Sequence, residues 1–151
     1  MVSVVVPYSP LTDPEGDGVM LRHAGFVIPS MSGQSPYHHF RIFAGARDVG
    51  HINLRIGDSR HVRRVVGHVG YWIRRRARGN GYALSACHAL APFARAILPK
   101  VILTCDPDNT ASRRTLERLV PDDQVSEIRI PPKDPHYSRG VRKKLRFIWM
   151  P

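Results

Sequence analysis

The run from His68 to Leu98, "HVGYWIRRRARGNGYALSACHALAPFARAIL", constrains the fold more than any other part of the chain. It reads as a strand, an arginine-rich turn carrying Gly79 and Gly81, and then a helix. Ala83, Cys87, Leu90, Ala94 and Leu98 recur near helical spacing, and Pro99 marks the stop. Pro92 deletes a backbone donor inside this helix and is expected to kink it. The first amides of a helix have no internal partners and carry the positive end of its macrodipole. Glycines let an anion approach those amides closely, and arginine adds charge-assisted hydrogen bonds at the rim. Such a turn suits a phosphate, although glycine serves ordinary turns as well.

The rest of the chain supplies a sheet. "HHFRIFA" and "GHINLRI" read as two strands joined by "GARD", with Ile52, Leu54 and Ile56 alternating with His51, Asn53 and Arg55. "GDSRHVRR" reads as a basic loop and "KVILTCD" as a short buried strand. In "DPDNTASRRTLERLV", Asp108 or Asn109 is the expected N-cap, with Leu116, Leu119 and Val120 on one face before Pro121. "QVSEIRI" and "RKKLRFIWM" are the last strands, separated by the loop "PPKDPHYSRG". Residues 1–37 are rich in Pro, Gly and Ser around an apolar stretch at Val19–Ile28, which fits a strand or a short helix. The expectation is one domain over residues 1–151, with an irregular part at 1–37 and a core at 38–150. Its class is α/β (α+β), one mixed, mostly antiparallel central sheet flanked by helices.

Composition narrows the partners. With 23 Lys and Arg against 12 Asp and Glu, the formal charge is +11, which favours anionic partners. No apolar run approaches the ~20 residues of a membrane span. The opening "MVSVVVPYSP" lacks a basic n-region and is cut by Pro7, so a cytoplasmic location is expected and a membrane partner is not. Cys87 and Cys105 fit no disulfide framework or zinc spacing and read as small buried hydrophobes. The eight histidines form no metal-binding pattern, so no metal is expected.

Two common phosphate motifs are absent: G-x-x-x-x-G-K-[ST], and a full G-x-G-x-x-G with a ribose-binding acid downstream. Arg78-Gly79-Asn80-Gly81-Tyr82-Ala83 instead fits R/Q-x-x-G-x-G/A. "GHVGYWIRRRARGNGYA", a helix and then "VILTCDPDNTASRRTLERL" resembles the strand–loop–helix–strand–helix core of the GCN5-related N-acetyltransferases (GNAT). The similarity is greatest to a bacterial subgroup of predicted acetyltransferases. It covers roughly residues 38–150 and is strongest from 67 to 119.

That resemblance implies an acyl-CoA N-acyltransferase-like fold and acetyl-CoA as co-substrate. It assigns Gly79, Asn80, Gly81, Tyr82 and Ala83 as backbone donors to the pyrophosphate, with Arg78 at the rim. Ile73 would pair through its backbone with the pantetheine arm, and Asn109 and Ser112 would face the same arm. It also implies direct attack of an amine on the thioester in a ternary complex. Family members often carry a tyrosine acid seven residues after the motif asparagine, a position held here by Leu116. Either another residue serves or water protonates the thiolate; Tyr137, in the loop before the last strand, is the candidate substitute for the catalytic acid, with a tyrosine packed over the rim as the alternative. His51, Asn53, His68 and Asp106 are candidates for base work, each with an ordinary structural role as the alternative. The acceptor amine is undetermined and a homodimer is compatible with the sequence. The second reading is a non-catalytic GNAT-like module that binds CoA or nucleic acid through its basic surface. It is not favoured, because no aromatic-interleaved stripe accompanies the scattered charge.

Overall fold

The computed structural model describes residues 4–6, 15–16, 18–30 and 33–151. Short strands β1 (Val4–Val6) and β2 (Glu15–Gly16) precede β3 (Val19–Ile28), β4 (Tyr37–Ala44) and β5 (Arg47–Arg55). A π-helical turn at Val62–Val66 leads into β6 (Val69–Ile73), and a 3-10 turn at Arg75–Ala77 leads into α1 (Tyr82–Ile97). Then follow β7 (Val101–Cys105), α2 (Thr110–Leu119), β8 (Val125–Arg129), the single-turn α3 (Pro135–Ser138) and β9 (Lys143–Trp149).

The strands form antiparallel sheets flanked by helices, with the central sheet divided in two. One half has the order β1-β3-β4-β5-β6 with β2 also on β3, and the other the order β7-β9-β8. The expected single sheet is therefore parted between β6 and β7. What holds the halves together is a narrow junction. His68, just before β6, donates its amide to the Ile102 carbonyl at 2.6 Å. Its ring Nδ1 accepts the Ile102 amide at 2.9 Å, and its Nε2–H donates to the Gly57 carbonyl at 3.0 Å. Beside it, Gly67 has φ +69, and a Cβ there would lie 2.7 Å from the Ile102 carbonyl oxygen. Only glycine fits that approach.

The expected irregular N-terminal part contains a ten-residue strand. β3 buries Val19, Leu21 and Val27, but its register against β4 shifts between His23 and Gly25. This bulge breaks the period-two pattern midway and hides the strand from a sequence reading. The "GDSRHVRR" segment is likewise less of a loop than expected, since it runs into the Val62–Val66 turn, which buries Val62 and Val65. α1 lays Ala86, Cys87, Ala89, Leu90 and Ala94 into the core, and its small side chains let it sit close to the sheet. It runs as one helix through Pro92, which lies on the exposed face. Among the described residues, no helix is long and apolar enough to cross a membrane.

The junction makes stability sensitive to acid. Burial pushes the His68 imidazole below its ordinary value, and burial with a neighbouring His23 pushes His38 down to about 4. As pH falls through ~6.5, unfolded chains take up these protons before folded ones do. The melting temperature should therefore fall between pH 7 and pH 5. His68→Phe keeps most of the volume but leaves the Ile102 amide and the Gly57 carbonyl unpaired. Denaturant unfolding should show a loss of about 2 kcal/mol or more, with a shallower dependence on pH.

Candidate active site

The division of the sheet opens one edge of β6. In this ladder the Arg55 amide donates to the His68 carbonyl at 2.6 Å, and the Arg74 amide to the Val49 carbonyl at 2.8 Å. Antiparallel pairing alternates, so residues 70, 72 and 74 turn their polar groups toward β5, as His68 turns its carbonyl while its amide goes to Ile102. Val69, Tyr71 and Ile73 turn theirs to the outer edge, which among the described residues no strand covers beyond the His68–Ile102 junction. The Ile73 carbonyl accepts Arg78 Nε at 3.0 Å, which folds the arginine back over the strand end.

The glycine turn closes the other side. Gly79 has φ +82 and Gly81, the residue before α1, has φ +73. No side chain caps the N-terminus of α1, and a Cβ at either glycine would point into open space. The first amides of a sixteen-residue helix thus face outward through the turn. Asn80 braces it: its Nδ2 donates to the Ala77 carbonyl at 3.0 Å and the Arg78 carbonyl at 3.2 Å.

Between this turn, β6 and α2 lies a cavity of about 510 Å³. Ile73, Arg78, Gly79, Gly81, Tyr82, Ala83, Asn109 and Ser112 all line it, together with Tyr71 and Thr115. The expected cofactor residues therefore converge, with Asn80 serving as the brace of the turn. Asn109, not Asp108, is the N-cap of α2, accepting the Ser112 amide at 3.2 Å. The Ser112 hydroxyl lies 2.8 Å from the Tyr71 hydroxyl. Burial pushes the Tyr71 phenol up to about 12, so it holds its proton at neutral pH. Leu116 is 1% exposed and packs in the core.

The other residues named from sequence stand elsewhere. Tyr137 is on α3, under the Arg142 guanidinium at 3.9 Å from its ring, and is not part of the cavity lining. His51 stacks on Trp72, Asn53 accepts His39 Nδ1 at 2.6 Å, and Asp106 pairs with Lys144 at 2.8 Å. Both ring nitrogens of His68 are occupied by the junction. Burial pushes the Cys87 thiol up to about 12 and the Cys105 thiol up to about 11, which leaves neither as a nucleophile. Of the arginine run, Arg74 is tied to Asp48 at 3.1 Å while Arg75 and Arg76 face solvent.

One constellation escaped the sequence reading. His61 Nδ1 lies 2.6 Å from an Asp134 carboxylate oxygen and His136 Nδ1 lies 3.3 Å from the other. Burial alone would raise the Asp134 carboxyl, but hydrogen bonds from His61 and the His136 amide outweigh it and hold it below its ordinary value. His61 and Asp134 are 73 residues apart, so no local spacing signals the pair. The one hint was "PPKDPHYSRG", in which Asp134 and His136 sit two residues apart.

Comparisons with known proteins agree with this fold. No curated protein matches the chain in sequence. An acetyltransferase from Agrobacterium tumefaciens str. C58 superposes with a TM-score of 0.60 at 17% identity, over 95% of this chain and 97% of that one. A GNAT-family acetyltransferase from Bacillus anthracis gives 0.59 at 16% identity, over 92% and 98%. The microcin C7 self-immunity acetyltransferase MccE, solved with acetyl-CoA and AMP, gives 0.56 at 17% identity. That match covers 76% of this chain but only 61% of MccE. At such identities the likeness shows the fold. The acetyltransferase (GNAT) domain family model matches residues 6–119, reaching back through β3 to the start of the sheet. The chain belongs to the GNAT acetyltransferase family.

Proposed function

We propose that the protein is an acetyl-CoA-dependent N-acetyltransferase in which an amine attacks the thioester directly, within a ternary complex. The observation that carries this reading is the single cavity joining the uncapped N-terminus of α1 to the open edge of β6. A pyrophosphate fits the turn, where the amides of residues 79–83 and the rim residue Arg78 supply donors and positive charge. The outward polar groups of Tyr71 and Ile73 suit the amides of a pantetheine arm, which would lie along β6 as an added strand. Asn109 and Ser112 flank that path from α2.

Transfer requires a new N–C bond, loss of the C–S bond, a proton acceptor for the amine and a proton donor for the thiolate. Orientation of the two reactants supplies much of the rate. The Tyr71–Ser112 hydroxyl pair lines the cavity and retains its proton at neutral pH, so it is our choice of acid over Tyr137. His61 is our choice of base. Its Nδ1–H is held by Asp134, a carboxylate that can only accept, which leaves Nε2 as the acceptor.

Two experiments test this reading. CoA and desulfo-CoA should both raise the melting temperature, since the thiol is not the anchor. Gly81→Asn tolerates the left-handed backbone yet places a side chain where the phosphate would sit. Calorimetry should show CoA affinity reduced at least ~10-fold with the fold intact, while Arg75→Ala binds normally. Normal affinity in the Gly81→Asn protein would remove the turn from the site.

The second experiment concerns the acid. Tyr71→Phe should lower thiol release from acetyl-CoA, measured with a mixture of primary amines, by roughly 10²-fold. Acetyl-CoA affinity should be unchanged, because the interaction belongs to the transition state. Tyr137→Phe should behave as wild type. The reverse pattern would move the acid to α3.

A further inference from the structure

β6 has a second face. Side chains alternate along a strand, so Tyr71 and Ile73 look into the cavity beside α2 while Gly70, between Val69 and Tyr71, belongs to the other face. On that opposite face, β5 contributes Asn53, paired with Gly70, and Arg55 two residues on. The Arg55 guanidinium lies against Gly70: a Cβ there would be 3.2 Å from Nη2 and 3.3 Å from Nη1. Gly70 thus makes room for the arginine, one residue from Tyr71. A pocket of about 390 Å³ opens here, bounded chiefly by Gln34, Tyr37, Asn53, Arg55, His61 and His136.

The charge in this pocket is unbalanced. Among the described residues Arg55 makes no ion pair, and its hydrogen bonds are two long ones from Nη1, to the Gly67 carbonyl at 3.3 Å and the Val66 carbonyl at 3.5 Å. A guanidinium has five donors, so most of its capacity is unused. Among the described residues, no Asp or Glu lines the pocket. The nearby carboxylate, Asp134, is committed to His61 and His136. Arg55 is half-buried, and partial desolvation of a cation without a counter-charge is a cost that a bound anion would offset. A planar fork with free donors matches a carboxylate or phosphate.

We propose that this pocket is the acceptor site and that it selects small primary amines carrying an anionic group, which Arg55 binds. This rests on the acetyltransferase reading above and adds the substrate class to it. Because Arg55 lies against Gly70, the anion docks beside the strand edge where the thioester would lie. The amine must therefore be only a few bonds from its anionic group, as in an amino acid or a short aminoalkyl phosphate. A polyamine meets a cation here and is rejected.

The test uses three arms: a mixture of natural α-amino acids, a mixture of short aminoalkyl phosphates, and the amides of the same amino acids. Thiol release from acetyl-CoA is measured with each, for wild type, Arg55→Gln and Arg55→Lys. Binding of each arm is followed separately by saturation-transfer NMR without CoA, so that anion recognition is read even if no turnover occurs. One anionic arm should exceed the amides at least ~10-fold in kcat/KM for wild type, and which arm does so names the anion. Arg55→Gln should abolish that preference through KM and remove the NMR signal. Arg55→Lys, which keeps the charge, should retain part of both, and acetyl-CoA affinity should be unchanged in all three proteins. Equal use of the amides, a preference that survives Arg55→Gln, or no NMR signal from either anionic arm overturns the proposal. Failure to bind CoA overturns the acetyltransferase reading instead and leaves the NMR result to decide the anion site.

Discussion

The parting of β6 from β7 governs the whole site. Two strands that start together at His68 and Ile102 and then diverge leave a row of backbone donors and acceptors facing a gap. An exposed strand edge is ordinarily a liability, because it invites pairing with whatever extended chain is near. Here the gap is bounded by α2 and the glycine turn, so the edge opens into a cavity instead of onto a free surface. The junction must hold firmly for the divergence to be stable. A buried imidazole bonded through both nitrogens and a glycine pressed against a carbonyl provide that rigidity.

The electrostatics follow from the same geometry. α1 begins at the far end of the gap, without a capping side chain, and its amides add their dipole to the charge of the arginines nearby. The protein's excess of +11 is not uniformly available, however. Arg41 and Arg74 converge on Asp48, and Arg113 pairs with Glu117 at 2.7 Å. Arg78 reaches the cavity and Arg55 the pocket on the other face. Placement, more than total charge, decides where an anion would be held.

β6 thus separates two chemically different spaces. On one side are glycine amides and a hydroxyl pair, and on the other a guanidinium and a histidine–carboxylate pair. The open edge of the strand is the place where groups from both sides can meet. Under the proposed function, such a division would let two reactants approach from opposite faces without either entering past the other.

Much of the cavity beside the glycine turn was legible in the sequence because it is local. The turn, its glycines and the first turn of α1 lie within a few residues, and Asn109 caps a helix only three residues from Ser112. Local propensity and helical periodicity are short-range properties, and a sequence displays them directly. The strand β3 was obscured by one bulge, and the division of the sheet by a contact spanning 34 residues. The Tyr71–Ser112 pair spans 41 residues and the His61–Asp134 pair 73. Arg55 appeared only as a polar residue alternating along a strand, since its missing counter-charge depends on which other groups pack around it. The sequence alone determined the turn that an anion could occupy. The tertiary structure decided which hydroxyls, imidazoles and cations face the open strand, because desolvation and long-range packing have no signature in neighbouring residues.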